Sequence, residues 1–220
     1  MSTTPNSLDP GSHICLLYRS IEEQKEVVLP FMKEGLERGE QCVYVADEQT
    51  ADDWCFEFQA HGIDVAEARK NRSLIVCSGE HWRMPGQFSS VQNSRAAWRM
   101  IEGALANFTG IRFAVDAGWT LDPPISNDLV CHWEATQNLV IADSAVRVLC
   151  QYNINRHSAT AVHSALRTHP HAIAGGKLRP NPYYEAPRIL ENEPHLNHSD
   201  ADAGAVEGML INLASHHQPA

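Results

Sequence analysis

His13-Ile14-Cys15-Leu16-Leu17-Tyr18 runs directly into Arg19-Ser20-Ile21-Glu22-Glu23, an apolar run of strand length passing into the start of a helix. No glycine stands in the turn between them. A loop that cradles phosphate needs glycines, so that several backbone N–H groups converge on the anion, and a lysine to reach the terminal phosphates. This turn offers two carboxylates instead, Glu22 and Glu23, in the capping-box pattern Ser20-Ile21-Glu22-Glu23.

Four more apolar runs follow, at Gln41 to Ala46, Ser73 to Cys77, Ile111 to Asp116 and Ala145 to Tyr152, each separated from the next by a segment of helical length. Strands that alternate with helices predict a three-layer α/β fold, a mainly parallel sheet with helices on both faces. The first helix carries Ile21, Val28, Met32 and Leu36 on one stripe and stops at Gly39, with a kink expected at Pro30. Further helices are expected at Ala51 to His61, Phe88 to Phe108, from Pro124 to Ala142, and Ser158 to Thr168, the last closed by His169-Pro170. His171 to Pro187, rich in glycine and proline, reads as an extended tail with at most one edge strand.

The organisation is then a flexible lead-in over residues 1–11, one domain over 12–187, and a polar linker with a short helix over 188–220. In that helix Val206, Met209, Leu210 and Leu213 share one face, suited to docking on its own domain or to a homodimer or partner contact. A formal net charge of -10 excludes a phosphate-neutralising nucleic-acid surface, and no apolar stretch is long enough for a membrane span. The chain reads as cytoplasmic. Its six cysteines lack CxxC spacing and read as reduced, mostly buried thiols.

Several segments, taken in order, resemble the MEDS domain, a methanogen/methylotroph sensory domain. They are His13 to Tyr18, then Gly35-Leu36-Glu37-Arg38-Gly39-Glu40 with the strand Gln41-Cys42-Val43-Tyr44-Val45, then Arg112 to Trp119. Trp133-Glu134 with Asn138, Leu149-Cys150-Gln151-Tyr152, His169-Pro170 and Asn181-Pro182 complete the series. The resemblance implies a RecA/KaiC-like core without an intact phosphate loop. It also implies a role in sensing small hydrocarbon-derived molecules, as in the dichloromethane-responsive regulator. Asp116 stands where the family usually has Glu, and Asn153 where Asp is common. No helix-turn-helix, kinase or anti-sigma domain is attached, which leaves the output open; the expected partner is a separate kinase, anti-sigma factor or transcription regulator.

In open parallel sheets ligands bind beyond the carboxyl ends of the strands. That rule selects Tyr18, Arg19, Asp116, Trp119 and Tyr152 as ligand-binding residues, with Trp82 as a further aromatic wall; Cys150 joins them two residues before Tyr152 on the same strand face, and Glu134 through the fourth-helix motif of the resemblance. Asp116 ends an apolar strand as a Mg²⁺-holding acid would, but without a phosphate-loop lysine it serves better as a hydrogen-bond acceptor or a cap. His13, His169 and His171 are the metal candidates, expected to meet at the amino edge of the sheet with Cys15 or Cys150. Structural hydrogen bonding that anchors the tail is their competing role. No catalytic residue and no cofactor is assigned. The function expected is a non-catalytic sensory module that binds a small ligand and signals to a protein partner. The alternatives are a degenerate nucleotide-binding ATPase-like protein and a ligand-independent scaffold.

Overall fold

The computed structural model describes residues 8–47, 50–79, 90–121, 124–187 and 203–215. Glu48, Trp82, Asp122-Pro123, the start of the lead-in, the acidic linker, and the pairs His195/His198 and His216-His217 lie outside the described residues. The elements are β1 (Ser12–Tyr18), α1 (Ile21–Glu37), β2 (Gln41–Ala46), α2 (Ala51–Ala60), α3 (Val65–Lys70), β3 (Leu74–Ser78), α4 (Ser90–Leu105) and β4 (Ile111–Asp116). After a 3-10 turn (Ala117–Thr120) come α5 (Asn127–Ile141), β5 (Val146–Asn153), α6 (Ala159–Thr168), β6 (His171–Ala174), β7 (Lys177–Pro180) and α7 (Ala203–Ser215).

Among the described residues, seven strands lie in the order β3-β2-β4-β5-β1-β6-β7, all parallel except β7. Strand alternation sends Ile14, Leu16 and Tyr18 of β1 to a core shared with Val28, Phe31 and Trp54 of α1 and α2. Cys15 and Leu17 go to the opposite core with residues of α4, α5, α6 and α7. This is the expected three-layer α/β architecture. β1 and β5 are neighbours, yet the helices that follow them pack on opposite faces. Such a switch point is where open α/β sheets place ligands.

The tail differs from its expectation. His171–Ala174 pairs parallel with β1, and Lys177–Pro180 returns antiparallel beside it, so two strands extend the sheet instead of at most one. The cause is Gly175-Gly176, with φ of 55° and 71°, a two-residue turn whose positive φ values match the twist of a hairpin. α3 was not anticipated; Asp64 caps it by accepting from the Glu67 N–H. α1 continues through Pro30 as one helix of 17 residues. Val206, Leu210 and Leu213 of α7 are buried against the domain's own core, where the helix meets β6 and α6. Arg19 holds the same helix through Glu207, 3.1 Å away.

At the amino end of the sheet, on the α1 face, Arg112 and Arg147 share the buried carboxylate of Glu40. Arg112 also donates to the Phe31 carbonyl at 2.9 Å and to Glu34 at 3.0 Å, while Arg147 donates to the Leu8 carbonyl at 2.7 Å. Gly35 permits this approach, because a Cβ there would meet Cys42 Sγ at 2.6 Å and Arg112 Cδ at 2.7 Å. Removing one member of a buried charge group strands the others away from water. Glu40→Gln is expected to cost about 3–5 kcal/mol in urea unfolding. A loss near the ordinary surface value would show that the two guanidiniums do not depend on Glu40.

Candidate functional site

Two polar clusters are buried in the centre of the molecule, one on each face of the sheet. On the α1 face, Asp116 at the end of β4 accepts from the Gly118 N–H at 2.9 Å, from Gln24 Nε2 at 3.1 Å and from the Tyr18 hydroxyl at 3.3 Å. Gln24 Nε2 also donates to Gln151 Oε1 at 2.8 Å, which accepts from the Tyr44 hydroxyl at 3.4 Å. Beside this cluster the β1–α1 connection is only Arg19-Ser20. Ser20 accepts from the Glu23 N–H, and Glu23 accepts from the Arg19 N–H at 2.7 Å. The first turn of α1 is thus capped by the chain's own side chains.

On the other face, Glu134 of α5 is 4% exposed and reaches down onto β1 and β5. Its Oε1 accepts from the Tyr152 hydroxyl at 3.0 Å. Its Oε2 lies 3.2 Å from His13 Nε2, 3.6 Å from Cys150 Sγ and 3.7 Å from His169 Nε2. The rings of His13 and His169 are 4.0 Å apart, and Cys150 Sγ is 3.5 Å from His13 Nε2. Burial, then the Glu134 charge, pushes the Cys150 thiol well above its ordinary range. Burial brings His169 down to about 3.

The outer partners fix the tautomers. Asn138 Nδ2 donates to the Thr168 carbonyl at 2.7 Å, so its Oδ1 faces His13 Nδ1 at 3.2 Å and accepts that proton. His169 Nδ1 lies 2.7 Å from the Ala165 carbonyl, which only accepts. Each imidazole, when neutral, therefore turns an Nε2 lone pair toward Glu134. His169 Nε2 has no hydrogen-bond partner. The cluster holds more acceptors than protons, and a cation among them would balance it.

Two spaces adjoin this cluster. A groove of ≈ 270 Å³ opens between α5 and α6, with Glu134 and Tyr152 among its lining and Arg156 and His157 beside them. A smaller cavity of ≈ 30 Å³ touches Glu134 and Cys150 and is walled by Trp119, Trp133, Phe113 and Ile101. Trp119 packs edge-on against Trp133, with ring centroids 5.9 Å apart.

The residues singled out from the sequence are thus divided by the sheet. Glu134, Cys150, Tyr152 and Trp119 share the α5 face with His13 and His169, whereas Tyr18 and Asp116 belong to the α1 face. Arg19 lies apart, half-exposed against Glu207. His171 does not join the other histidines. It pairs in register with Ile14, whose side chain points to the α1 face, and paired residues on parallel strands share a face. The meeting place also differs from the amino edge expected: Cys150 and Tyr152 pair with Cys15 and Leu17, which puts the cluster at mid-sheet. Sequence reasoning missed Gln24 and Tyr44. Gln24 carried a readable signal, a polar residue four before Val28 on the buried stripe of α1.

Burial raises Asp116 to about 6, with the charge of Asp47 adding to the effect. The folded chain then keeps this proton between about pH 4 and 6, where an unfolded carboxyl has lost it, so stability falls as pH rises through that window. Asp116→Asn keeps the acceptor for Gly118 and is expected to remove a pH-dependent difference of about 3 kcal/mol, read from unfolding of both proteins at pH 4 and pH 7. Parallel curves for the two would contradict a protonated Asp116.

Comparison with solved structures gives 14% identity to the KaiC-like protein PH0186 from the hyperthermophilic archaeon Pyrococcus horikoshii OT3. The match covers 75% of this chain and 71% of that one at a TM-score of 0.52, a likeness of fold. No curated protein matches the sequence. The model of one family, described as MEthanogen/methylotroph, DcmR Sensory domain, matches residues 12–170, which take in His13, Asp116, Glu134, Cys150, Tyr152 and His169. With its RecA/KaiC-like sheet and this match over most of its length, the chain belongs to the MEDS family of sensory domains.

Proposed function

We propose that this domain works without catalytic turnover, binding a small ligand in the groove between α5 and α6 and passing the signal to a separate protein. The observation that carries the reading is the position of Glu134 and Tyr152, which line the groove and are bonded to the buried cluster beneath it. Glu134 touches groups from β1, β5 and the C-cap of α6 at once. A ligand that takes over one of its hydrogen bonds changes what holds α6 in place. α6 supports α7, whose outer face carries the exposed Ile211. Differential binding to two placements of α6 and α7 is the form such a signal takes, and a kinase, anti-sigma factor or transcription regulator is its receiver.

The size and lining of the two spaces favour a compact, weakly polar ligand whose affinity comes from desolvation, in keeping with a hydrocarbon-derived compound. The ATPase-like alternative is disfavoured by the first turn of α1, capped by Ser20 and Glu23, and by an Asp116 already held by three donors. Titration calorimetry with Mg·ATP is expected to show no binding. Low-micromolar binding that disappears in Asp116→Ala would replace the sensory reading with a nucleotide-binding one.

Ala161 lines the groove on α6, and Ala161→Leu places three extra carbons in it. In a tryptophan-fluorescence screen of one- and two-carbon compounds, dichloromethane among them, the wild-type response is expected to be lost in Ala161→Leu while the fold remains. A response equal in the two proteins would move the ligand out of this groove.

A further inference from the structure

We infer that His13, Glu134, Cys150 and His169 form a four-ligand site for a divalent metal ion of the zinc class. The site belongs to the cluster proposed above as the base of the sensory groove, but its occupancy stands or falls separately. The ligand atoms, His13 Nε2, His169 Nε2, one carboxylate oxygen and Cys150 Sγ, all lie within 4.8 Å of one another, and all four residues are buried. Metal–nitrogen and metal–oxygen bonds of about 2.1 Å and a metal–sulfur bond of about 2.3 Å require tetrahedral ligand separations of roughly 3.4 Å for N to O and 3.6 Å for contacts to S. The separations found are 3.2 Å and 3.7 Å from Glu134 Oε2 to the two imidazole nitrogens. Those to the sulfur are 3.5 Å from His13 Nε2 and 3.6 Å from Glu134 Oε2.

Three features distinguish this group from a chance cluster of polar residues. Each histidine offers the nitrogen that lacks a proton, because its Nδ1 is committed to Asn138 Oδ1 or to the Ala165 carbonyl. Tyr152 holds Glu134 by Oε1 and leaves Oε2 for the ion. These outer bonds are the kind that orient and strengthen metal ligands. The third feature is His169 Nε2 itself, wholly buried, aimed into the cluster and without a hydrogen-bond partner. Leaving such an atom unpaired costs free energy that coordination would recover.

Two imidazoles, one carboxylate and one thiolate suit Zn²⁺ or Co²⁺ better than Mg²⁺ or Ca²⁺, which favour oxygen ligands. Binding is accompanied by one deprotonation: the Cys150 S–H proton leaves to solvent, and the thiolate donates an electron pair to the cation. The α5–α6 groove reaches Glu134 and gives the ion a route in. Cys15 is the internal control, a buried thiol on the same face whose Sγ is directed instead to the His171 carbonyl at 3.7 Å.

The full chain, stripped with a chelator, is titrated with Co²⁺ and then with Zn²⁺. One Co²⁺ per chain is expected, with the intense near-ultraviolet band of thiolate-to-cobalt charge transfer, bleached by one equivalent of Zn²⁺. Cys15→Ser keeps the band and Cys150→Ser loses it. Should Cys150→Ser fail to fold, Asn138→Ala serves, since it leaves all four ligands and is expected to weaken metal affinity about 10–100-fold. Absence of stoichiometric uptake by the wild type, a band undiminished in folded Cys150→Ser, or unchanged affinity in Asn138→Ala would each overturn the site. Absence of metal uptake together with a retained fluorescence response to a groove ligand would remove the metal and leave the sensory reading intact.

Discussion

β1 and β5 lie side by side in the middle of the sheet, and every residue of both strands is buried. Neither face of either strand meets water, so each polar side chain they carry has to be answered from the helices above and below. His13, Cys150 and Tyr152 face α5 and α6 and are answered by Glu134 and Asn138. Tyr18 and Gln151 face α1 and are answered by Asp116, Gln24 and Tyr44. Arg147 is answered by Glu40 and the Leu8 carbonyl. A purely apolar strand pair would have accepted many helix placements of similar energy. These pairs accept few, because each misplacement strands a polar group.

The same constraint explains what the sequence discloses. The apolar runs at Gln41 to Ala46 and Ile111 to Asp116 coincide with β2 and β4 because a strand buried on both faces must be apolar nearly throughout. The stripe Val206, Leu210 and Leu213 is legible for a similar reason, although the surface that receives it depends on β6, one of two strands in a tail expected to hold at most one. Residues 171–187 mislead because glycine and proline usually mark a chain leaving a sheet. Here the pair Gly175-Gly176 reverses it within the sheet.

The site was readable residue by residue but not as an assembly. Glu134, Cys150, Tyr152, His13 and His169 each stand out by type or by family motif. What brings them together is the register of β1 with β5 and the reach of α5 over both, and neither can be computed from spacing. Parity then makes the divisions that spacing cannot. His13 is the second residue of β1 and His171 the first of the neighbouring β6, yet Ile14, not His13, is the partner of His171, and that one-residue offset sends the two imidazoles to opposite faces. Tyr18 and Tyr152 are separated by the same rule, since Tyr152 pairs with Leu17.

A buried carboxylate is costly to keep in a hydrophobic layer, and Glu134 is only 4% exposed. Its pKa lies below the usual carboxylate value despite burial, the neighbouring imidazoles and the Tyr152 hydroxyl outweighing desolvation. Such a group contributes little net stability compared with a well-packed leucine of similar size. Its advantage is in coupling. With the metal site inferred above, the acceptor-rich cluster is balanced by a cation held by four ligands, one of them the His169 ring at the end of α6. Under the proposed function, an occupant of the groove that competes for Tyr152 would release Glu134 Oε1 and so act on the same cluster. A layer that looks like an inefficient way to build a core is therefore well suited to a domain whose task is to respond.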